Sequence, residues 1–227
     1  MKYLYFLLFT VIVCSCSDKP VFSETFQQQT TGHYLFHPDA EIEVHYDNNK
    51  LLIDWLGVKD IEPLLLDNET FYIKEMNKKM RFVQNPSDGL YYLSEVMGDE
   101  SVTYDYRKQP DSIRVPSYYL HRKAYDKALK GYLELQSKDS SLALIEEVKF
   151  NRFGYNKLSS KAYEEAIAIF KINVALYPKS ANVYDSLADA YLRSGDSLQA
   201  YNNYSKSLAL DSANPRAQRY IKAYNNE

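Results

Sequence analysis

The sequence predicts an α+β protein of two domains, a small antiparallel β barrel or sandwich followed by an α-helical stack of repeated helix pairs. Three features of the chain lead to this prediction. Apolar and polar residues alternate with a period of two over residues 32–106, a proline-bounded break follows at 110–116, and a 34-residue repeat organises the last third. Alternation is typical of half-buried strands, whereas a repeat of about 20–50 residues indicates a stack of similar units.

The start of the chain has the pattern of a secretory signal. Residues 4–13 form an apolar run that is long enough for a signal-peptide core and shorter than the roughly 20 residues that span a bilayer. The run is followed by a small residue and a cysteine, Ser15-Cys16, which resembles the lipobox of bacterial lipoproteins. The resemblance implies that residues 1–15 are a lipoprotein signal peptide and that Cys16 is the lipidation site. An ordinary secretory signal cut near Ser17 is the alternative.

Composition limits the partners of the remaining chain. Cleavage would leave 26 Lys+Arg (27 less Lys2) against 30 Asp+Glu, a net charge of −4, so the chain offers no basic field to a nucleic acid. Cys16 would be the one thiol left of the two cysteines, which excludes an internal disulfide, and attachment to a membrane would rest on acyl chains. By resemblance to Gram-negative lipoproteins, Ser17 implies the outer membrane of the cell envelope; the periplasmic and the surface face both stay open.

The next two stretches differ in pattern. Residues 16–31 are polar and lack periodicity, so they predict a flexible tether. Residues 32–109 predict the all-β domain, because Ile42 and Val44 alternate with charged residues before a turn at 47–50 and a return run at 51–55. Further strand-like runs, separated by turn residues, are 63–66, 71–75, 80–84, 90–96 and 102–106. Seven or eight short strands at this spacing are typical of a compact barrel or sandwich.

Helical spacing begins after a predicted linker at residues 110–116. Prolines at both ends of the linker push the residue before each of them away from helical geometry. The helical repeat domain is therefore predicted over residues 117–227, with a degenerate repeat near its start and a further helix that begins near Ser140. An apolar stripe over residues 216–225 predicts a capping helix that covers the end of the stack.

The 34-residue repeat pairs small residues with large apolar ones. Gly154 and Phe170 return 34 positions later as Ala188 and Tyr204. Small residues where two helices touch, with large apolar residues a turn away, resemble the tetratricopeptide repeat. The resemblance covers two consecutive units, at 147–180 and 181–214. It implies helix pairs that bind a protein or peptide partner and have no chemistry of their own.

The resemblance also implies which residues form the partner-binding groove. In that family, contacts come mainly from the first helix of each pair, at its second, fifth, ninth and twelfth positions. Here those positions hold Val148, Asn151, Tyr155 and Leu158, then Asn182, Asp185, Asp189 and Leu192. The set is polar to acidic with an aliphatic edge, so we expect an uncharged or basic peptide segment. The alternative is that Asn151, Asn182 and Asp185 brace neighbouring repeats, and both readings stay open.

The helical part also resembles one particular setting of these repeats. Its sequence over residues 151–155, 166–174 and 177–187 is similar to the repeat tail found after serine β-lactamase-like hydrolases and esterases. In such proteins a small β domain often lies between the enzyme and the tail. That enzyme class acylates a serine in a Ser-x-x-Lys motif, and neither this motif nor a Gly-x-Ser-x-Gly elbow occurs in the chain. The chain therefore resembles the accessory part alone, and we expect no catalytic residues, no cofactor and no enzymatic activity.

Residues with metal-ligand chemistry occur near the start of the β domain. They are His33, His37, His45, Asp39, Glu41 and Glu43. The last part of this set alternates with apolar residues, which is typical of the solvent-exposed face of a sheet, so we expect no metal site. These observations together predict an envelope-anchored lipoprotein that acts as an interaction scaffold or adaptor. The alternatives are an accessory module acting in trans with a separate serine hydrolase, and a β domain that binds a glycan or lipid.

Overall fold

The computed structural model describes residues 21–138 and 145–226. The predicted signal peptide, the lipidation site Cys16 and the helix start near Ser140 lie outside the described residues. Within them, no helix combines the length and the apolar character needed to cross a membrane.

Nine strands of the described part of the chain form one antiparallel sheet. Their bounds are β1 Gly32–His37, β2 Ala40–Asp47, β3 Lys50–Trp55, β4 Val58–Ile61, β5 Leu64–Leu65, β6 Thr70–Ile73, β7 Lys78–Gln84, β8 Tyr91–Glu95 and β9 Tyr106–Gln109. The strand order is β4-β3-β2-β1-β9-β8-β7-β6-β5. The two edge strands are therefore β4 and β5, yet only Glu62 and Pro63 separate them along the chain. So short a connection between opposite edges requires the sheet to curl into a half-barrel.

The concave side of the sheet contains its core. Side chains at alternate positions of the strands point inward and are fully buried, as the period-two pattern predicts. They include Tyr34, Ile42, Val44, Ile53, Phe71, Ile73, Met80, Phe82 and Leu93. Phe82 lies among other rings, with its centroid 5.1 Å from that of Phe71 and 5.6 Å from that of Phe26. Because the interior is filled by these side chains, the curled sheet is a packed core rather than a container.

The last predicted strand lies in a different place. A strand is expected over residues 102–106, but β9 begins at Tyr106. Side-chain bonds replace the strand ladder before it: the Thr103 backbone N–H donates to Ser94 Oγ at 3.2 Å, and the Glu95 N–H donates to Asp105 Oδ2 at 2.7 Å. Serine, threonine and aspartate commonly compete with regular backbone pairing in this way.

The prediction of a flexible tether is wrong for residues 21–31. Glu24–Thr30 form a helix, α1, whose first turn is capped by Ser23. Phe22 is 5% exposed and belongs to the core of the sheet, and the Thr30 hydroxyl lies 2.7 Å from that of Tyr46. The sequence shows few apolar residues here, but Phe22, just before the Ser23 cap, stacks on Phe26 of the helix with ring centroids 5.8 Å apart. Burial of two aromatic rings outweighs the polar composition of the segment.

Seven further helices follow the sheet among the described residues. They are α2 Pro116–His121, α3 Tyr125–Lys138, α4 Glu147–Ser159, α5 Tyr163–Leu176, α6 Ala181–Ser194, α7 Ser197–Leu210 and α8 Pro215–Tyr224. The first helices of the two clear pairs start 34 residues apart (181 less 147), and so do the second helices (197 less 163). The helix-pair repeat predicted from the sequence is therefore present. The terminal helix starts one residue earlier than the predicted range of 216–225.

Small residues set how closely the helices of the stack approach each other. A Cβ placed on Gly154 would lie 2.5 Å from the ring of Phe170, so only glycine allows this contact between α4 and α5. One repeat later, Ala188 and Ala200 are fully buried against Tyr204 in the corresponding contact between α6 and α7. Helix α6 ends at Gly195, which adopts a left-handed conformation with φ of +91°.

Substitution of Phe22 tests whether the segment before the sheet is part of the fold. We expect Phe22→Ala to lower the free energy of unfolding by about 3 kcal/mol, because a buried ring is lost from the core. Val21→Ala is the matched control, since Val21 is 77% exposed, and we expect a change below about 0.5 kcal/mol. Urea unfolding, followed by the fluorescence of Trp55 in the sheet, measures both. If the two variants were equally stable, Phe22 would not contribute to the core and the prediction of a flexible tether would stand.

Candidate functional site: the repeat face and a cleft beside the sheet

The first helices of the repeat pairs form a shared face. Helices α4 and α6 contact each other, and α8 follows at the position of the next first helix, because Pro215 lies 34 residues after Ala181. We call the exposed or half-buried groove residues on this surface the repeat face. They are Val148, Asn151, Tyr155, Asn182 and Leu192. Val148 is 68% exposed and Leu192 is 38% exposed, so both apolar side chains are accessible to a partner.

Leu158 does not belong to this surface. The family resemblance implies a partner contact at its position, but Leu158 is only 3% exposed. It packs in a cluster with Ala166, Phe170 and Leu187. The close approach of α5 at Gly154 brings these apolar groups over the end of α4, so Leu158 stabilises the repeat and cannot reach a ligand.

The two acidic residues of the groove set pair with an arginine of the terminal helix. Asp185 and Asp189 are buried, and Arg216 on α8 binds both of them. Its Nε donates to Asp185 Oδ1 at 3.2 Å, while Arg193 Nε donates to Asp189 Oδ1 at 3.0 Å. Asn214 adds a further bond to Asp185 at 2.9 Å. These carboxylates therefore brace α6 against α8 and are neutralised within the chain.

Two of the remaining polar groove residues hydrogen-bond to neighbouring helices, and one has an oxygen without a partner among the described residues. Asn182 Nδ2 donates to Glu147 Oε1 at 2.8 Å, which ties the start of α6 to that of α4. The Tyr155 hydroxyl accepts from Arg216 Nη2 at 3.2 Å. Asn151 Oδ1, in contrast, is buried without a hydrogen-bond partner among the described residues. A ligand amide on this surface could donate to it, since buried carbonyl oxygens are almost always satisfied.

Sequence reasoning missed Arg216. The chain after residue 214 was interpreted only as a cap, through its apolar stripe. The 34-residue period itself contained the signal, because Arg216 occupies the second position of a third first helix, as Val148 and Asn182 do in the units before it. A cation at that position can reach acids at the fifth and ninth positions of the preceding helix.

A cleft lies where helix α2 meets the sheet. It has a volume of about 660 Å³, and we call it the junction cleft. Its walls include Phe36, Glu41, Asp54, Trp55, Val58 and Arg122. This volume lies within the range of about 300–1,000 Å³ that is usual for small-ligand sites.

The linker residue Arg114 anchors one wall of the junction cleft. Its guanidinium is 10% exposed and donates from Nε to Glu41 Oε1 at 3.0 Å and from Nη2 to Glu43 Oε2 at 3.3 Å. Arg114 and Arg122 both lie over the ring of Tyr118, with guanidinium carbons 3.8 and 3.7 Å from its centroid. These contacts fix α2 against the outer surface of the sheet.

Asp39 makes a second connection between sheet and helix. Its Oδ1 accepts from the backbone N–H of Ser117 at 2.6 Å, and its carbonyl accepts from the Ser117 hydroxyl at 2.7 Å. Burial raises the pKa of the Asp39 carboxyl to about 6, against the opposing effect of the Ser117 bonds. Ser117 thereby bonds the turn between β1 and β2.

The fold brings three of the metal-type residues noted in the sequence, His33, Glu41 and Glu43, onto the guanidinium of Arg114. His33 is buried, with Nε2 2.8 Å from the Ile113 carbonyl, and His37 lines the junction cleft. Within the described residues, one group of three or more has metal-ligand atoms close enough together, and it combines His45 with Asp54 and Asp60. These side chains satisfy one another, as His45 Nε2 lies 3.0 Å from Asp60 Oδ1 and the Asp60 N–H donates to Asp54.

Comparison with known proteins gives structural similarity only. No known protein family matches the chain, and no curated protein matches it. Among solved structures, the first tetratricopeptide repeat domain of Spaghetti (RPAP3), bound to an HSP90 peptide, is 18% identical with a TM-score of 0.35; the match covers 49% of this chain and 85% of that one.

Two other solved domains have comparable values. The Sgt2 tetratricopeptide domain from Aspergillus fumigatus is 18% identical with a TM-score of 0.35, and the match covers 49% of this chain and 72% of that one. The OM64 tetratricopeptide domain from Arabidopsis is 14% identical with a TM-score of 0.34, covering 49% of this chain and 89% of that one.

Removal of Arg216 tests the brace between α6 and α8. We expect Arg216→Ala to lower the free energy of unfolding of the helical part by about 2 kcal/mol, because Asp185 and Asp189 stay buried without their cation. The value is set below that of a fully buried pair because the Arg216 side chain is 39% exposed. Urea unfolding followed by helical circular dichroism measures it. Arg219→Ala, an exposed arginine on the same helix, should change little; an equal loss there would remove the specific role of Arg216.

Substitution of Asp39 tests the burial of its carboxyl. The folded-state pKa is raised from 3.8 to about 6, so between these values the folded chain binds more protons than the unfolded chain. The contribution of Asp39 to the free energy of unfolding therefore falls as pH rises through this window, by up to about 3 kcal/mol. Asp39→Asn should gain stability over the wild type from pH 4 to 7. If the free energies of unfolding of the wild type and of Asp39→Asn, measured by urea titration, changed in parallel with pH, the raised pKa of Asp39 would be contradicted.

Proposed function

We propose that this protein is an interaction scaffold that binds an extended polypeptide segment across its repeat face. One observation supports this above the others: two aliphatic side chains, Val148 and Leu192, are exposed at the edges of a surface whose interior is fully packed. Between them lies the amide of Asn151, whose buried oxygen has no partner in the described part of the chain. Apolar anchors beside an unsatisfied amide suit a peptide, which offers side chains and backbone N–H groups together.

The partner segment should be uncharged where it crosses the repeat face. The sequence left both an uncharged and a basic peptide open, because Asp185 and Asp189 fall at groove positions. Arg216 and Arg193 occupy those carboxylates, so a basic side chain would have to displace an internal ion pair. The groove positions on α4 and α6 that stay accessible hold aliphatic, aromatic or amide side chains. Uncharged contacts are therefore favoured over charge recognition.

The setting of the scaffold rests on the sequence alone. The proposal includes removal of residues 1–15 and a lipid anchor on Cys16, which would hold the protein in the cell envelope, at the outer membrane. A membrane-tethered scaffold needs no catalytic group of its own, in agreement with the lack of a Ser-x-x-Lys motif. The role of accessory module for a separate serine hydrolase is one form of the same function, with the hydrolase as the partner.

Site-specific photo-crosslinking in the producing cell tests the proposed surface. The reactive group is placed in turn at Val148, Asn151 and Asn182. We expect one discrete protein adduct that is shared by these positions, and its identification by mass spectrometry names the partner. When Val148→Asp is added to the variants with the reactive group at Asn151 or Asn182, we expect the yield of the adduct to fall by at least half, because a carboxylate is costly in an apolar contact.

The control position must be exposed and outside the repeat face. Glu164 on α5 meets this requirement. Its neighbour Glu165 does not, because it forms ion pairs with Lys123 and Lys157, both at 2.7 Å. An adduct of equal yield from Glu164, or no adduct from any position of the folded protein, would refute the scaffold function at this surface.

A further inference from the structure

We propose that the junction cleft is a binding site for a neutral saccharide. The cleft shares no lining residue with the repeat face, and the proposal does not depend on the function of that face. It rests on the unsatisfied polar atoms of the cleft walls, on the balance of charge around it and on its apolar surface.

Two cleft residues have buried polar atoms without a partner. Glu41 uses Oε1 for Arg114, while its Oε2 is buried and accepts no hydrogen bond from the described residues. The indole N–H of Trp55 is likewise buried and donates to no described residue. One group therefore needs a donor and the other an acceptor. A hydroxyl supplies both, which is why a polyhydroxylated ligand can satisfy the two walls together.

The charges around the cleft favour a ligand without net charge. Arg114 neutralises Glu41 and Glu43, and the cleft lining contains the exposed cations Lys59 and Arg122 as well as Asp54. A strongly anionic ligand would meet the carboxylates, and a strongly cationic one would meet the lysine and arginine. A neutral ligand escapes both penalties and still finds donors and acceptors on each side.

The apolar surface of the cleft suits a sugar ring better than a lipid chain. The ring of Tyr118 already lies under two guanidinium groups, so Trp55, Phe36 and Val58 supply the apolar contacts. These side chains match the C–H face of a sugar, which stacks on an aromatic ring while its hydroxyls point outward. An acyl chain would instead lie against charged groups and leave the carboxylate and the indole N–H unsatisfied.

Trp55 makes the proposal directly measurable because it is the single tryptophan of the chain. Its fluorescence in the full-length protein is followed during titration with maltose, cellobiose and N,N′-diacetylchitobiose, three neutral disaccharides of different linkage and substitution. We expect a saturable change with at least one of them at millimolar concentration. The absence of a saturable change with all three, together with the absence of binding heat in calorimetry, would overturn the proposal.

Variants then separate the junction cleft from any other site. Trp55→Phe keeps a ring but removes the N–H, and Glu41→Gln turns the free acceptor into a donor; calorimetry should show affinity about tenfold lower for each. Glu62→Gln is the matched control, because this exposed carboxylate pairs with Lys50 away from the cleft. If the affinity were unchanged in Trp55→Phe, the site would be refuted. This variant stays informative even if Glu41→Gln fails to fold, because the indole N–H that it removes makes no hydrogen bond to the described residues.

Discussion

The buried guanidinium of Arg114 is the contact on which the arrangement of this protein depends. It lies in the short segment between the last strand and α2, and it binds two carboxylates of β2 as well as His33 Nδ1 at 3.1 Å. A buried arginine is costly unless all of its donors are used in good geometry. The segment therefore has one favourable position on the sheet, and that position fixes where α2 starts. The shape of the junction cleft follows from it, because α2 forms one wall.

A different constraint governs the helical part. Gly154, Ala188 and Ala200 allow neighbouring helices to approach closely, and the large rings of Phe170 and Tyr204 fill the space that remains. The stack then ends with α8, whose Arg216 neutralises two acids that would otherwise be buried alone. The same arginine neutralises the acidic groove positions and leaves uncharged residues as the accessible groove positions on α4 and α6. One side chain therefore contributes both to the stability of the stack and to the chemistry of its face.

Features that depend on local sequence patterns were predicted from the sequence, whereas features that depend on contacts between distant residues were missed. Most strands of the sheet and the helix pairs were predictable because their signals are local: alternation sets which side chains of β2 are buried, and the 34-residue period sets where α4 and α6 start. Strands β1 and β4 were not among the predicted runs. The helix at Glu24–Thr30 was missed because its stability comes from contacts of Phe22 and Phe26 with distant strands. Leu158 was misassigned for the same reason, since its burial depends on α5 and α6. The roles of Asp185 and Asp189 could not be separated from partner binding without the position of Arg216.

After residue 31, the sequence by itself determined the main kinds of element in this protein, their order and the repeat that relates the helix pairs. These properties depend on periodicity and on residue size along the chain, which folding does not alter. Only the tertiary structure decided which polar groups are already satisfied and which are not. Hydrogen bonding and burial join residues far apart in sequence, such as Arg114 with Glu41 and Arg216 with Asp185. For that reason, the unpaired polar atoms of Asn151, Glu41 and Trp55 could be identified only from the folded structure, in which their possible partners have definite positions.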